Sequence, residues 1–388
     1  MVNSLYIHIP FCIKKCAYCD FYSIPFKRDT ADEYAEALLK EMLLRKNVAG
    51  ILKTVYIGGG TPTMLSVDSI DRLLHEAGDI FVINPGAEIT IETNPRTITK
   101  EKAQALLKAG INRISIGAQS FNDKELAALG RSHSAADAIC AAHDAREAGF
   151  TNISLDLIYG IPFYKSQIPS LESRIQKWEY SLQKALELNP EHISAYELTP
   201  EKNTPLYNDI REGRVVMPDE ELISEMYYRC IETLTDNGYV HYEISNFAKP
   251  GYECRHNLNY WDRGEYLGIG AGAHSFFYGK RSCNIRDASG YAKSLASNEL
   301  PVEEETEISA DEAIKEFIFL GLRKTGGIDM GRLPEQKKAL IKKAVEELSS
   351  YGLVEFHDNR LRLSRKGLIL SSEVIVRVLS GIEKRLPS

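Results

Sequence analysis

Residues 12–21 read CIKKCAYCDF, which sets Cys12, Cys16 and Cys19 at C-x3-C-x2-C spacing on one short stretch. Three thiolates so placed can hold a cubane iron-sulfur cluster through three of its irons, with spacers short enough for one loop to wrap around it. The fourth iron then stays open to the amine and carboxylate of a small molecule, so redox chemistry can sit beside a bound organic cofactor. A structural zinc site would instead close its coordination with a fourth thiolate or an imidazole, and His8 could in principle supply one.

The rest of the composition narrows the class. The chain has 388 residues, 44% hydrophobic and 26% charged, with a formal charge of -7. That is ample for a substantial core and more than one domain, at about 150 residues per domain. Its seven cysteines are too sparse for a disulfide scaffold. The opening MVNSLYIHIPFC has neither a basic leader nor a long apolar run and reads as the first folded segment. No stretch of 18 apolar residues follows, and a membrane span would need about 20; a cytoplasmic location is the expectation that accompanies the family resemblance drawn below.

Strand-like apolar runs begin near Leu5, Thr54, Glu88, Arg113, Ile153 and His192, at intervals of 49, 34, 25, 40 and 39 residues, which suits repeated strand-helix units. Helical patterns lie between them at Ala31 to Leu44, Val67 to Ala77, Lys100 to Ala109, Ala135 to Ala148 and Ile168 to Leu188. Gly110 and Gly149 stand where two of these should stop. The pattern predicts an α/β fold with a mainly parallel sheet, either open or curled into an incomplete barrel. Its reacting groups are expected on the loops after the strand ends.

Further along, PVEEETEIS from Pro301 to Ser309 reads as a solvated linker or exposed loop, and a transition already begins after Phe247. The expected units are 1–247, 248–307 and 308–388. Helical patterns at Ala310 to Leu322 and Glu335 to Ser349 precede GLVEFHDNRLRL, where Val354 and Phe356, then Leu361 and Leu363, alternate around a turn and predict a hairpin. Helices followed by a hairpin suggest a small α+β, winged-helix-like unit. Its 15 basic against 11 acidic residues over 311–388 are too mild a bias for nucleic acid, so a structural or partner-binding role is expected.

The segment VYIGGGTPT puts Gly58, Gly59 and Gly60 directly after a strand, where bare backbone can approach a ligand and Thr61 and Thr63 add hydroxyls. A merely tight turn is the simpler reading, and the segment matches neither a nucleoside-triphosphate loop nor a complete GxGxxG. Glu92 in ETNP, Gln119 in GAQSF, Arg131 in LGRSH and Asp156 in DLIYGIP follow in order. Asp156 could take ribose hydroxyls and Arg131 a carboxylate, or either could simply fix a loop.

Taken together these segments resemble the radical S-adenosylmethionine superfamily. Within it they resemble the oxygen-independent coproporphyrinogen III oxidases and the related heme chaperone family HemW, over residues 5 to about 280. The resemblance implies an incomplete parallel (β/α)6 barrel, with Cys12, Cys16 and Cys19 holding a 4Fe-4S cluster whose unique iron is chelated by S-adenosyl-L-methionine. Gly58, Gly59, Gly60 and Thr61 would face the methionyl amine. Tyr6, Tyr18, Phe21, Glu92, Gln119, Arg131 and Asp156 would complete that pocket. In such proteins an electron from the reduced cluster cleaves the sulfonium to methionine and a 5'-deoxyadenosyl radical.

Oxidases of this group extend the cysteine pattern to C-x3-C-x2-C-x-C and carry a longer leading segment, whereas Phe21 occupies the final place here. The run HNLNYW, His256 to Trp261, is similar to the H-N-x-x-Y-W pattern of the heme chaperones, as are YEISNFA and GIGAGAHSFF. The resemblance therefore implies a heme chaperone, with heme-binding candidates Cys254, His256, Tyr260 and Trp261; His274 is expected to position a loop. A neutral histidine orienting a carbonyl and a Tyr-Trp hinge are the structural alternatives. Implied partners are heme, acceptor hemoproteins, and respiratory-chain or heme-donor proteins, compatible with peripheral membrane association. Oxidative decarboxylation of coproporphyrinogen III is the enzymatic alternative.

Overall fold

Strict alternation runs through the parallel strands of the structure, a computed structural model that describes residues 2–165 and 170–383. In β1 (Val2–Ile9), Leu5, Ile7 and Ile9 are buried in the main core, and Ser4, Tyr6 and His8 take the opposite face. Val55 and Ile57 against Thr54, Tyr56 and Gly58 repeat the pattern in β2 (Ala49–Gly59). In β3 (Ile83–Thr93), Ile91 opposes Glu88, Thr90 and Glu92. The same holds for Ile114 and Ile116 against Arg113 and Ser115 in β4 (Arg113–Gln119). Leu155 and Leu157 flank Asp156 in β5 (Ile153–Tyr159), and Ile193 and Ala195 flank Ser194 in β6 (His192–Glu197).

These six strands are parallel and adjacent in chain order, with Tyr6 opposite Tyr56, Thr54 opposite Glu88, Glu92 opposite Ser115 and Asp156 opposite Ser194. Two short strands, β7 (Val240–Glu243) and β8 (Asn246–Ala248), extend the β6 edge antiparallel; β9 (Leu267–Ile269) joins β1 in parallel. The sheet order is β7-β8-β6-β5-β4-β3-β2-β1-β9. Parallel sheets packed on both faces by helices read as continuous apolar runs. Here one face packs into a continuous core with helix residues such as Leu38, Leu73, Leu106, Ala141 and Leu182, and the other carries a polar row. Each such fully buried leucine contributes about 1.5–3 kcal/mol.

The crossover helices start and stop where local chemistry dictates. Helix α1 spans Arg28–Leu44, α2 Val67–Ile80, α3 Lys100–Lys108, α4 Ala135–Ala148 and α5 Leu171–Glu187. The Ile168 start expected for α5 lies outside the described residues. Ser134 and Asp137 form a capping box at the start of α4, and Gly149 ends it with φ +110°.

The Glu-rich segment expected as a linker or loop is instead largely a strand. Val302–Glu307 pairs antiparallel with Lys280–Asn284, which in turn pairs with His274–Phe277. Its charges sit on an exposed sheet edge, where they remain solvated and deter further strand pairing, and Glu305 meets Lys280 at 2.7 Å. The C-terminal part is α+β. Two helices, Glu335–Ser350 and Ser371–Glu383, accompany a three-stranded sheet whose Val354–His357 and Arg360–Leu363 hairpin turns through Asp358 and Asn359 at φ +49° and +61°. Among the described residues, no helix is long and apolar enough to cross a membrane.

Candidate functional site

The cysteine loop docks on the glycine loop at the carboxyl ends of β1 and β2. Gly60 N donates to Ile9 O and Thr61 N to Phe11 O, both at 2.8 Å, and Thr61 Oγ1 lies 3.8 Å from Cys12 Sγ. The three glycines are fixed by what surrounds them. A Cβ on Gly58 would meet Tyr56 at 2.9 Å and the Glu92 carboxyl at 3.1 Å. One on Gly59, whose φ is +116°, would strike the His8 ring at 2.6 Å, and one on Gly60 would strike Phe11 O at 2.7 Å. The triple glycine thus lets the cysteine loop, β1 and β3 close onto one another.

Cys12, Cys16 and Cys19 are free, partly buried thiols on a loop closed by Cys19 N donating to Cys16 O at 3.3 Å. Burial raises the pKa of Cys12 and Cys19, and the neighbouring cysteines push both further up. Cationic iron would reverse that cost by converting the crowded thiols to ligated thiolates, so the donor set fits a cluster. A closed zinc site is poorly served, because His8 spends Nδ1 on Tyr6 Oη and Nε2 on Tyr22 O, each at 3.0 Å. Among the described residues, no three His, Cys, Asp or Glu side chains are grouped to hold one ion; a cubane instead takes each thiolate on a separate iron.

Around this loop the polar row supplies carboxylates, and the segment after the short helix ending at Ala128 supplies a guanidinium. Glu92 accepts from Tyr56 Oη at 2.8 Å and from Gly59 N at 3.0 Å; desolvation pushes its pKa up to about 7. Asp156 is hydrogen-bonded to Ser115 at 3.1 Å, and its pKa is raised, chiefly by burial. Arg131 donates to Gly117 O at 2.8 Å and Cys16 Sγ at 3.4 Å, and it is hydrogen-bonded to Tyr18. Gln119 ends β4 in a left-handed conformation, φ +65°, beside Gly117 and a break in the β4–β5 register. Tyr6 lies one strand from Tyr56, their rings stacked at 6.2 Å. Phe21 stands just after the cysteine loop with 69% of its surface exposed.

Cys254, His256 and Tyr260 lie one layer further in, toward the amino ends of the strands, with the His256 ring stacked 5.0 Å from that of Tyr56. Glu88 Oε1 accepts from His256 N and Oε2 from Arg255 N, each at 3.0 Å, which anchors the short helix α6 (Arg255–Trp261) beneath β3. His256 is 1% exposed, with Nδ1 2.8 Å from Thr54 Oγ1 and Nε2 2.9 Å from Tyr260 Oη. Burial lowers its pKa to about 3, so it is neutral. Cys254 is fully enclosed, its thiol 3.6 Å from Glu88, and burial pushes its pKa up to about 12.

The far end of α6 opens differently. Tyr260 and Trp261 line a groove of about 540 Å³ with Tyr266, Phe276, Phe319 and Leu320, and Arg263, Arg281 and Glu316 stand among them. Sequence reading singled out Tyr260 and Trp261 but missed Tyr266 and both arginines, which belong to no contiguous motif. Arg113, Glu88 and Thr54 were also missed as members of the inner row. Polar residues at every second position of otherwise apolar strands were the signal that could have found them.

Two family models match the chain: the radical SAM superfamily over residues 6–169 and the HemN C-terminal domain over residues 308–370. The chain is 38% identical to the heme chaperone HemW of Bacillus subtilis, covering 96% of this chain and 98% of that protein. It is 42% identical to the heme chaperone HemW of Escherichia coli over 70% of this chain and 69% of that one. Among solved structures it is similar to the radical SAM enzyme coproporphyrinogen III oxidase HemN of Escherichia coli. There the TM-score is 0.82 at 25% identity, covering 99% of this chain and 90% of that one.

Proposed function

Because the chain belongs to the HemW family of the radical SAM superfamily, a family related to coproporphyrinogen oxidase HemN, we propose that it is a heme chaperone. In this reading it binds heme, carries a 4Fe-4S cluster and S-adenosylmethionine, and delivers heme to acceptor hemoproteins in the cytoplasm. Membrane-bound respiratory or heme-donor partners would be met peripherally. The six parallel strands would curl as an incomplete barrel around the cofactor, with a winged-helix-like unit after it.

Cys12, Cys16 and Cys19 would hold the cluster, which when bound supplies an electron to the sulfonium cofactor. The chain's own groups do the rest. Gly59 N and Tyr56 hold Glu92 at the mouth of the glycine loop, where its carboxylate suits the methionyl amine. Arg131, already bridging the cluster loop and β4, suits the methionyl carboxylate. Asp156, one strand beyond β4, suits ribose hydroxyls.

The observation that carries heme is the aromatic groove at Tyr260 and Trp261, edged by Arg263 and Arg281. A porphyrin is a flat apolar disc with two carboxylates on one edge, and such a groove offers an aromatic seat and cations for both. The overall likeness to HemN keeps oxidative decarboxylation of coproporphyrinogen III as the second reading. Anaerobic reconstitution followed by separate incubation with hemin and with coproporphyrinogen III distinguishes them. Stoichiometric hemin binding without vinyl-bearing product supports the chaperone; decarboxylated product at catalytic turnover overturns it.

A further inference from the structure

We propose that Tyr266 supplies an axial phenolate to the iron of a ferric porphyrin seated in the groove, and that Arg263 and Arg281 receive its two propionates. This rests on the heme-binding reading above and names the groups that would perform it. The neighbouring donors are closed: both ring nitrogens of His256 are engaged, and the Cys254 thiol is enclosed against Glu88. Tyr266 instead lines the groove itself, edge-on to Tyr260 with ring centroids 4.7 Å apart.

Phenolate is an established axial ligand of ferric iron and needs a nearby cation to favour the anion. The Tyr266 hydroxyl has one, since Arg281 is hydrogen-bonded to it and opposes the upward pull of burial on its pKa. On binding, the phenol proton passes to solvent as the oxygen-iron bond forms, and the iron stays ferric throughout. Arg263 and Arg281 both flank the Phe276 ring, at 4.6 and 5.5 Å from its centroid, and both are held by Glu316 at 2.7 Å. One carboxylate between two guanidiniums leaves a net positive edge, to which a dicarboxylate is the complementary charge. The groove's volume of about 540 Å³ lies within the range typical of small-molecule sites.

The test is titration of the full chain with hemin and, separately, with iron-free protoporphyrin IX. Wild type should bind hemin with a ferric-phenolate charge-transfer absorption. Tyr266→Phe should lose that absorption and at least tenfold in hemin affinity while binding iron-free protoporphyrin as wild type does. Tyr266→His should restore an iron ligand with an imidazole spectrum, and Arg281→Met should weaken both porphyrins. If wild type binds hemin and Tyr266→Phe leaves absorption and affinity unchanged, the Tyr266 assignment fails and the chaperone reading stands. If wild type binds no hemin, both fail.

Discussion

Arg131 Nη1 lies 3.4 Å from Cys16 Sγ while its Nη2 donates to Gly117 O at 2.8 Å, so one guanidinium ties the cysteine loop to the fourth parallel strand. Replacing Arg131 with Leu should permit cluster assembly but reduce S-adenosylmethionine affinity at least tenfold, equivalent to about 1.4 kcal/mol. Calorimetric titration of the reconstituted variant checks this. Parental affinity would remove Arg131 from the cofactor site.

Gly59 combines φ +116° with a Cβ direction filled by the His8 ring. Gly59→Ala should cost about 2 kcal/mol or more, from backbone strain and overpacking together. Chemical denaturation measures it. A variant as stable as the parent would show that the glycine loop is less constrained than its packing indicates.

Glu92 gives the molecule a pH signature. Its carboxyl holds a proton up to about pH 7 when folded, against an ordinary value of 4.5, so the folded state binds more protons between those limits. This contribution to stability is therefore lost as pH rises from 4.5 toward 7 and is constant above. Burial pushes Glu243 up to about 7 as well, so it shares the window. Buried neutral histidines such as His133, His241 and His256 push stability the other way, up with pH, below their ordinary 6.5, so the test is the difference: Glu92→Gln should make the slope of melting temperature against pH more positive than the parent's between 4.5 and 7 in the cofactor-free protein. An unchanged slope would contradict the buried, protonated state.

His256 bridges Thr54 and Tyr260 from a fully enclosed position. His256→Gln should destabilise the chain by about 1–3 kcal/mol, because at least one buried hydroxyl loses its partner. The visible spectrum of bound hemin should stay as in the parent. A changed axial-ligand spectrum would make His256 the ligand after all.

The parts legible in the sequence are those with local causes. Cysteine spacing marked the loop at Cys12–Cys19, apolar runs marked all six parallel strands, and the Ala135-to-Gly149 stretch announced a helix with a glycine stop. The illegible parts are set by partners distant in sequence. Leu267–Ile269 is too short to declare itself and becomes a strand because β1 offers it an edge. The acidic run at Val302–Glu307 looks solvated because it is, yet Lys280–Asn284 recruits it as an edge strand. Tyr266, Arg263 and Arg281 converge only when α6, a hairpin and Glu316 of the following helix meet.

The most direct test of the central claim is transfer. The reconstituted full chain, loaded with one equivalent of hemin and freed of excess, is mixed with an apo-hemoprotein, and both proteins are separated and their porphyrin identified. Intact heme arriving in the acceptor faster than its spontaneous release into buffer is the predicted result. Hemin that stays with the chain, or reaches the acceptor only at the rate of spontaneous release, would contradict the account.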